Sequence, residues 1–208
     1  MNGRKILLLG NGGHCRSVMD SLSAAAVYES IGIIEKNETA DSDHIIGTDD
    51  DLPELFRNGW REAFITVGSI GNTRVREKLF DKLTEIGFTI PAIIDPSAVI
   101  SASASIAAGV FIGKRAVVNA NARIGSCAII NTGAIVEHDC VVGRFAHISP
   151  GAVVCGEVSV GDCSHVGAGT VVRQQIRIGD HVMIGAGSTV VKDIDDNIAA
   201  FGNPCRPK

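Results

Sequence analysis

The sequence predicts two parts of different fold class: a Rossmann-like α/β domain over residues 1–94, and a parallel β-helix of hexapeptide repeats over residues 95–208. Two observations carry the β-helix. An aliphatic residue returns at every sixth position from Ile94 to Val190, and a small side chain such as Ala116, Ala134, Cys140, Ala152 or Ser164 stands two places before most of them. A period of six matches neither the 3.6 of a helix nor the 2 of a half-buried strand, but it fits short strands broken by turns. The third observation carries the α/β domain. Ahead of Ile94, short apolar runs alternate with helical stretches in the order β-α-β-(α)-β-α-β, the order of a small parallel sheet with helices on its faces.

The first apolar run, Lys5–Leu9, reads as a buried parallel strand. It enters Gly10-Asn-Gly-Gly-His-Cys15 and then a helix through about Ala26. Gly10 and Gly12 match the dinucleotide fingerprint, while Cys15 stands where its third glycine would be; the glycines still permit a tight turn, and the helix start offers N–H groups to an anion. A second strand, Ser30–Ile34, ends at Glu35, in the place where nucleotide-binding units grip ribose hydroxyls. A solvated charge at a strand end is the equal alternative. Asp41–Asp51 reads as an acidic loop, and Leu52–Asn58 as a short helix. A third strand over Ala63–Val67 leads into the loop Gly68–Asn72. A helix from about Thr73 to Ile86 follows, with Val75, Leu79, Leu83 and Ile86 on one face and Gly87 as its stop. Thr89–Ile94 is expected as a fourth strand. Ligands of such sheets sit beyond the carboxyl ends of the strands, where Gly12, Gly13, His14, Glu35 and Gly68 all lie.

Composition suits a narrow prism: aromatics make up only 4% of the chain, so its interior is filled by Ala, Ile and Val. A net charge of −4 without a basic cluster argues against nucleic acid as the main partner. No apolar run reaches the roughly 20 residues needed to cross a bilayer. The amino terminus lacks a signal peptide's apolar core and cleavage site, so a cytoplasmic protein without membrane insertion is expected. The six cysteines form no CxxC pair. Cys140 sits in a small inward slot of the repeat, as a small hydrophobe would, and the spacing favours structural roles for the others.

Three hexapeptides to a coil would stack residues 18 apart on neighbouring strands, roughly 4.8 Å from one another. His147 and His165 then become neighbours on one face, and counting from the aliphatic positions turns His138, His147 and His165 all outward. Any one of them alone could be a solvated surface histidine. The string Glu137-His-Asp139 followed by His147 adds a carboxylate beside the ring, which would orient an imidazole and raise its basicity, as a general base requires.

These motifs resemble a known family. Gly10-Asn-Gly-Gly-His14, the hexapeptide array, Asn131-Thr-Gly-Ala-Ile-Val-Glu-His-Asp139, His147-Ile-Ser-Pro-Gly151 and Gly202-Asn-Pro204 are similar, end to end, to the sugar acyltransferases of the sialic acid O-acetyltransferase type. Within that family the bacillosamine-pathway and perosamine N-acetyltransferases are nearest. The resemblance implies a left-handed β-helix, a homotrimer, and acetyl-coenzyme A held between adjacent β-helices, with no metal. It implies His138 as general base and Asp139 as the acid that tunes it, where the bacillosamine enzyme has glutamate. It also implies His147, Gly156, Ala168 and Ala186 as cofactor contacts. Gly12, Gly13, His14, Glu35, Lys36 and Gly68 fall at nucleotide-sugar contacts, with Glu35-Lys36 in place of the family's paired aspartates.

The activity so implied is N-acetylation of a nucleotide-linked amino-deoxy sugar, by direct transfer without an acyl-enzyme. O-acetylation of sialic acid or another sugar is the alternative on the same scaffold. Three histidines on a hexapeptide trimer also resemble the zinc site of γ-type carbonic anhydrases, a reading that leaves the amino-terminal domain idle.

Overall fold

A computed structural model describes residues 3–36 and 44–208. The described chain divides into two compact units. One runs to Ser69 and takes in Arg74–Pro91; the other comprises Ile70–Thr73 and Ala92–Lys208.

The first unit is a four-stranded parallel sheet. Strands β1 (Lys5–Leu9), β2 (Ser30–Ile34), β3 (Ile45–Gly47) and β4 (Glu62–Ile65) lie in the order β3-β2-β1-β4. The run Ile6–Leu9 is buried throughout, as a central strand covered on both faces must be. Helices α1 (Gly13–Ala25), α2 (Leu52–Arg57) and α3 (Arg74–Ile86) accompany it. Gly87 adopts φ +101° and returns its N–H to the Leu83 carbonyl, closing α3 as a C-terminal glycine does.

Several expectations need correction here. The segment expected as an acidic loop holds β3, a three-residue edge strand paired with β2; positions 41–43 of that segment lie outside the described residues. On α3 the inward place falls to Arg76, 2% exposed, while Val75 is 57% exposed, because the buried face runs through Arg76, Leu79 and Leu83. The fourth strand, expected over Thr89–Ile94, does not form as one piece. Thr89 makes a single bridge to Glu62, and Ile93–Ile94 pairs with Phe111–Ile112 in the second unit. Pro91, which has no N–H to give a ladder, separates the two pairings.

The second unit is a left-handed parallel β-helix. From Ile93 to Val190 its two-residue strands fall into three sheets, and strand partners within that span are 18 residues apart. The first face carries Ile93–Ile94, Phe111–Ile112, Ile129–Ile130, His147–Ile148, His165–Val166 and Met183–Ile184; the second runs from Val99–Ile100 to Thr189–Val190, and the third from Ser105–Ile106 to Arg177–Ile178. In each pair the second residue points inward. From Ile112 to Val190 every one of the sixth-position aliphatics is 2% exposed or less. The small residues two places earlier, such as Ala116, Ala134, Cys140 and Ala152, are fully buried and leave room for the aliphatics of the adjoining coils.

The interior is less complete at its amino-terminal end. Ile94, expected inside, is 40% exposed, and Ile100 and Ile106 are only partly buried. The first coil has no coil beneath it, so half of the packing that encloses the others is missing.

The corners are distinguished by backbone conformation. Between the first and second faces stand Gly133, Gly151, Gly169 and Gly187, with φ from +64° to +67°. A Cβ at any of the four would meet nothing within 4 Å. Between the second and third faces the left-handed position is held instead by Asn121, Asp139, Glu157 and Gln175.

Candidate active site

His138 lies at the corner between the second and third faces, directly after the Ile135–Val136 strand. Its Nδ1 meets Asp139 Oδ2 at 2.8 Å, and Asp139 adopts φ +60°, a left-handed conformation that an acidic residue tolerates. The carboxylate receives the Nδ1 proton, which leaves the Nε2 lone pair available to take another. The hydrogen bond from His138 to Asp139 raises the imidazole pKa above its ordinary value, and the charges of Asp139, Glu137 and Glu157 act in the same direction. Asp139 is held down in turn by His138 and by Asn121, whose Nδ2 donates to its Oδ1 at 3.1 Å.

Gly156 stacks on this corner one coil further on. A Cβ placed there would lie 2.5 Å from His138 Nε2 and 2.6 Å from its Cε1, so the imidazole rests on bare backbone. Beyond Gly156, Cys155, Val171, Arg173, Gln174, Gln175, Thr189 and Val191 enclose an open groove of about 680 Å³.

His147 does not join His138. It points out of the first face, where its Nε2 meets Asn131 Nδ2 at 3.1 Å. Because Asn131 Oδ1 accepts the Thr132 N–H at 2.8 Å, the amide nitrogen is the end that faces the ring, and the His147 proton sits on Nδ1. His165, the next rung, stacks edge-on against His147 with ring centroids 4.9 Å apart. It points away from the prism interior as counted from the repeat, yet it is only 9% exposed, which corrects the expectation of a surface histidine. Its ladder neighbours, His147 and Met183, are large enough to cover it, and Ser149 Oγ meets its Nε2 at 3.2 Å. Burial lowers its pKa. Ala168 and Ala186 stand exposed at the corner between the first and second faces, stacked one coil apart beside the glycine column. Among the described residues, no three or more His, Cys, Asp or Glu side chains come together as metal ligands would.

In the amino-terminal unit a cleft of about 330 Å³ opens beyond the carboxyl ends of β1, β2 and β4. Gly12, Glu35, Lys36, Gly68 and Val75 are among the residues that line it. Gly12 precedes α1 in extended conformation with no side-chain cap on the helix start. The Glu35 carboxylate ties two loops together, accepting Asn11 N–H on Oε2 and Lys36 N–H on Oε1, both at 2.8 Å. Gly13 and His14 fall in the first turn of α1. Desolvation, followed by the charge of Arg76, lowers the His14 pKa to about 4, so the ring is neutral near pH 7.

Comparison with known proteins adds to this geometry. Residues 5–83 match the model of the PglD N-terminal domain, and residues 157–192 match the bacterial transferase hexapeptide of six repeats. Among solved structures, PerB of Caulobacter crescentus, in complex with CoA and GDP-perosamine, is 35% identical. The match covers 100% of this chain and 98% of that one, with a TM-score of 0.93.

The chain belongs to the hexapeptide sugar N-acetyltransferase family.

A second member of that family, the acetyltransferase domain of PglB from Neisseria gonorrhoeae in complex with acetyl coenzyme A, is 33% identical over 100% of both chains, again with a TM-score of 0.93. WeeI from Acinetobacter baumannii shares the fold at 24% identity and a TM-score of 0.88. No curated protein sequence matches the chain. Asn121 and Asn131, which meet Asp139 and His147, do not stand out in the sequence. The signal for Asn121 is its place 18 residues before Asp139; Asn131 stands 16 residues before the ring that it meets.

Proposed function

We propose that this chain is an acetyl-coenzyme A-dependent N-acetyltransferase acting on the amino group of a nucleotide-linked amino-deoxy sugar, of the GDP-perosamine or UDP-4-amino-4,6-dideoxy-N-acetylglucosamine type. The observation that carries the reading is the exposed His138 ring, oriented by Asp139 through Nδ1 and presenting Nε2 above Gly156. An exposed imidazole with one nitrogen committed to a carboxylate is a general base awaiting an acidic proton.

Transfer is direct. The sugar amine attacks the thioester carbonyl while His138 Nε2 takes its proton. The tetrahedral oxyanion then collapses, the C–S bond breaks, and coenzyme A leaves as the thiol with the proton that His138 returns. Backbone N–H groups along the groove stabilise the oxyanion; donors of this kind contribute roughly 3 kcal/mol each. Cys140, two residues from the base, is no acyl carrier. It is fully buried, its thiol donates to the Cys155 carbonyl at 3.0 Å, and burial pushes its pKa up to about 11.

The division of the residues between corners supports assembly as a homotrimer. His138 and Gly156 occupy one corner, while His147, Ala168 and Ala186 belong to the first face and its corner with the second. A homotrimer would set one protomer's base opposite its neighbour's glycine-lined corner, closing a channel for the acetyl-coenzyme A arm. The second face is suited to such a contact. Its outward column is Val99, Val117, Ile135, Val153 and Val171, with Val99 63% and Val171 42% exposed. The amino-terminal domain, assigned to 1–94, holds the nucleotide sugar through Gly12, Gly13, His14, Glu35, Lys36 and Gly68. The protein acts in the cytoplasm; among the described residues no helix is long and apolar enough to cross a membrane.

The test is an acceptor screen read by thiol release. A GDP- or UDP-linked amino sugar should support turnover, and His138→Ala should lower it by about 10²–10⁴-fold while coenzyme A binding persists. Thiol release with sialic acid in place of any amino sugar would overturn the reading in favour of O-acetylation.

A further inference from the structure

We infer that Asn121 is a positioning residue for the His138 base, acting through Asp139; this rests on the reading of His138 given above. Asn121, Asp139, Glu157 and Gln175 occupy the same left-handed corner position on four successive coils. The column reads amide, acid, acid, amide, and each acid is tied to the amide on its outer side. Asn121 Nδ2 donates to Asp139 Oδ1 at 3.1 Å, and Gln175 Nε2 donates to Glu157 Oε2 at 3.3 Å.

The geometry at Asp139 separates the work of its two oxygens. Oδ1 is taken by Asn121 and Oδ2 by His138 Nδ1. Asn121 is itself fixed from the preceding coil, where Ser103 Oγ accepts its backbone N–H at 3.1 Å. A carboxylate on a corner half open to solvent has no steric reason to keep one rotation about its χ2. The Asn121 amide supplies a polar one. It also favours His138 over a rival, because the Arg123 guanidinium on the adjacent strand attracts Asp139 as well. Without Asn121 the carboxylate can turn toward Arg123 and release the imidazole. The charged groups that act on His138 are Asp139, Glu137 and Glu157, and of these only Asp139 is hydrogen-bonded to the ring.

The experiment is a double-mutant cycle on the full-length protein with Asn121→Ala and Asp139→Ala, using acetyl-coenzyme A and the better acceptor of GDP-perosamine and UDP-4-amino-4,6-dideoxy-N-acetylglucosamine. The His138 titration is followed by NMR in parallel, a readout that needs no acceptor. Asn121→Ala should lower kcat about fivefold to tenfold, the scale of one hydrogen bond, with KM for acetyl-coenzyme A unchanged. It should also move the His138 titration to lower pH, and Asn121→Gln should restore part of both. In the Asp139→Ala background, Asn121→Ala should change neither quantity. Wild-type kinetics and titration in Asn121→Ala, or an equal loss in both backgrounds, overturn the inference. A His138→Ala control that retains full turnover overturns the base reading itself. It is distinguishable, because the NMR cycle then still reports whether Asn121 orients Asp139.

Discussion

Gly156→Ala isolates the geometry of the base from the stability of the fold. The added methyl would sit 2.5 Å from His138 Nε2 and 2.6 Å from Cε1, where ordinary contact begins near 3.4 Å. One group must therefore move by nearly 1 Å. The backbone at Gly156 is not left-handed, so alanine brings no conformational penalty there. The obstruction is the end of a side chain that is 54% exposed and can swing outward. The fold should thus lose little, about 1 kcal/mol, the scale of the one hydrogen bond that the displaced ring gives up, and melting should stay close to wild type. Catalysis cannot adapt in the same way. Swinging the ring clear of the methyl draws Nδ1 from Asp139 and Nε2 from the acceptor, and a displacement of 1 Å typically costs about 10²-fold. Thiol release under saturating acetyl-coenzyme A measures kcat, and thermal melting followed by circular dichroism measures the fold. A variant with wild-type kcat would refute the placement of the reactive nitrogen above Gly156.

Other expectations follow from the same structure. Asp139 raises the His138 pKa, and turnover needs the unprotonated ring, so the acid limb of kcat/KM should lie above the ordinary histidine value; Asp139→Asn should move that limb to lower pH. His14 runs in the opposite sense. Its pKa is lowered to about 4 on folding, so the unfolded chain binds the proton first, and stability should fall as pH drops from about 6.5 to 4. The loss amounts to roughly 3 kcal/mol at most, and denaturant melts of wild type against His14→Gln across that window should show a shallower slope in the variant, with buried His165 still contributing in the same direction. Ile148→Ala, at a fully buried rung of the β-helix, should cost about 2–5 kcal/mol in the same assay, depending on how far adjoining coils collapse.

The β-helix was legible because one physical constraint, filling a narrow interior, repeats every six residues and leaves an aliphatic mark each time. The mark weakens where the constraint does. Ile94 carries the pattern but is exposed, because periodicity records only the chain's own registration and not whether a coil lies beneath. β3 was missed for a different reason: Ile45–Gly47 offers three residues in an acidic context, too few for any period to emerge. His165 was read as outward, which is correct for its Cβ direction, but burial depends on the size of neighbours 18 positions away. The Glu137-His-Asp139 motif was visible as adjacent letters. Asn121 was not, since its link to Asp139 spans a full coil and only the spatial register joins them. The same is true of the contact from Asn131 to His147, which spans 16 positions.

The 18-residue register also sets a reading frame for change in length. His138 over Gly156, and Asn121 against Asp139, are pairs separated by one full coil or by one coil's stacking. A single residue inserted between them would turn inward-facing aliphatics outward from that point on. A six-residue insertion would keep the interior intact but carry everything beyond it to the next face of the prism, parting the base from its glycine. Only the gain or loss of a whole coil preserves both interior and face, and within the stretch from Ser103 to Ala186 even that parts residues of the site. Length variation in this scaffold is therefore quantised, and a chimera joined one hexapeptide off the coil frame should fold as a β-helix whose active corner no longer exists.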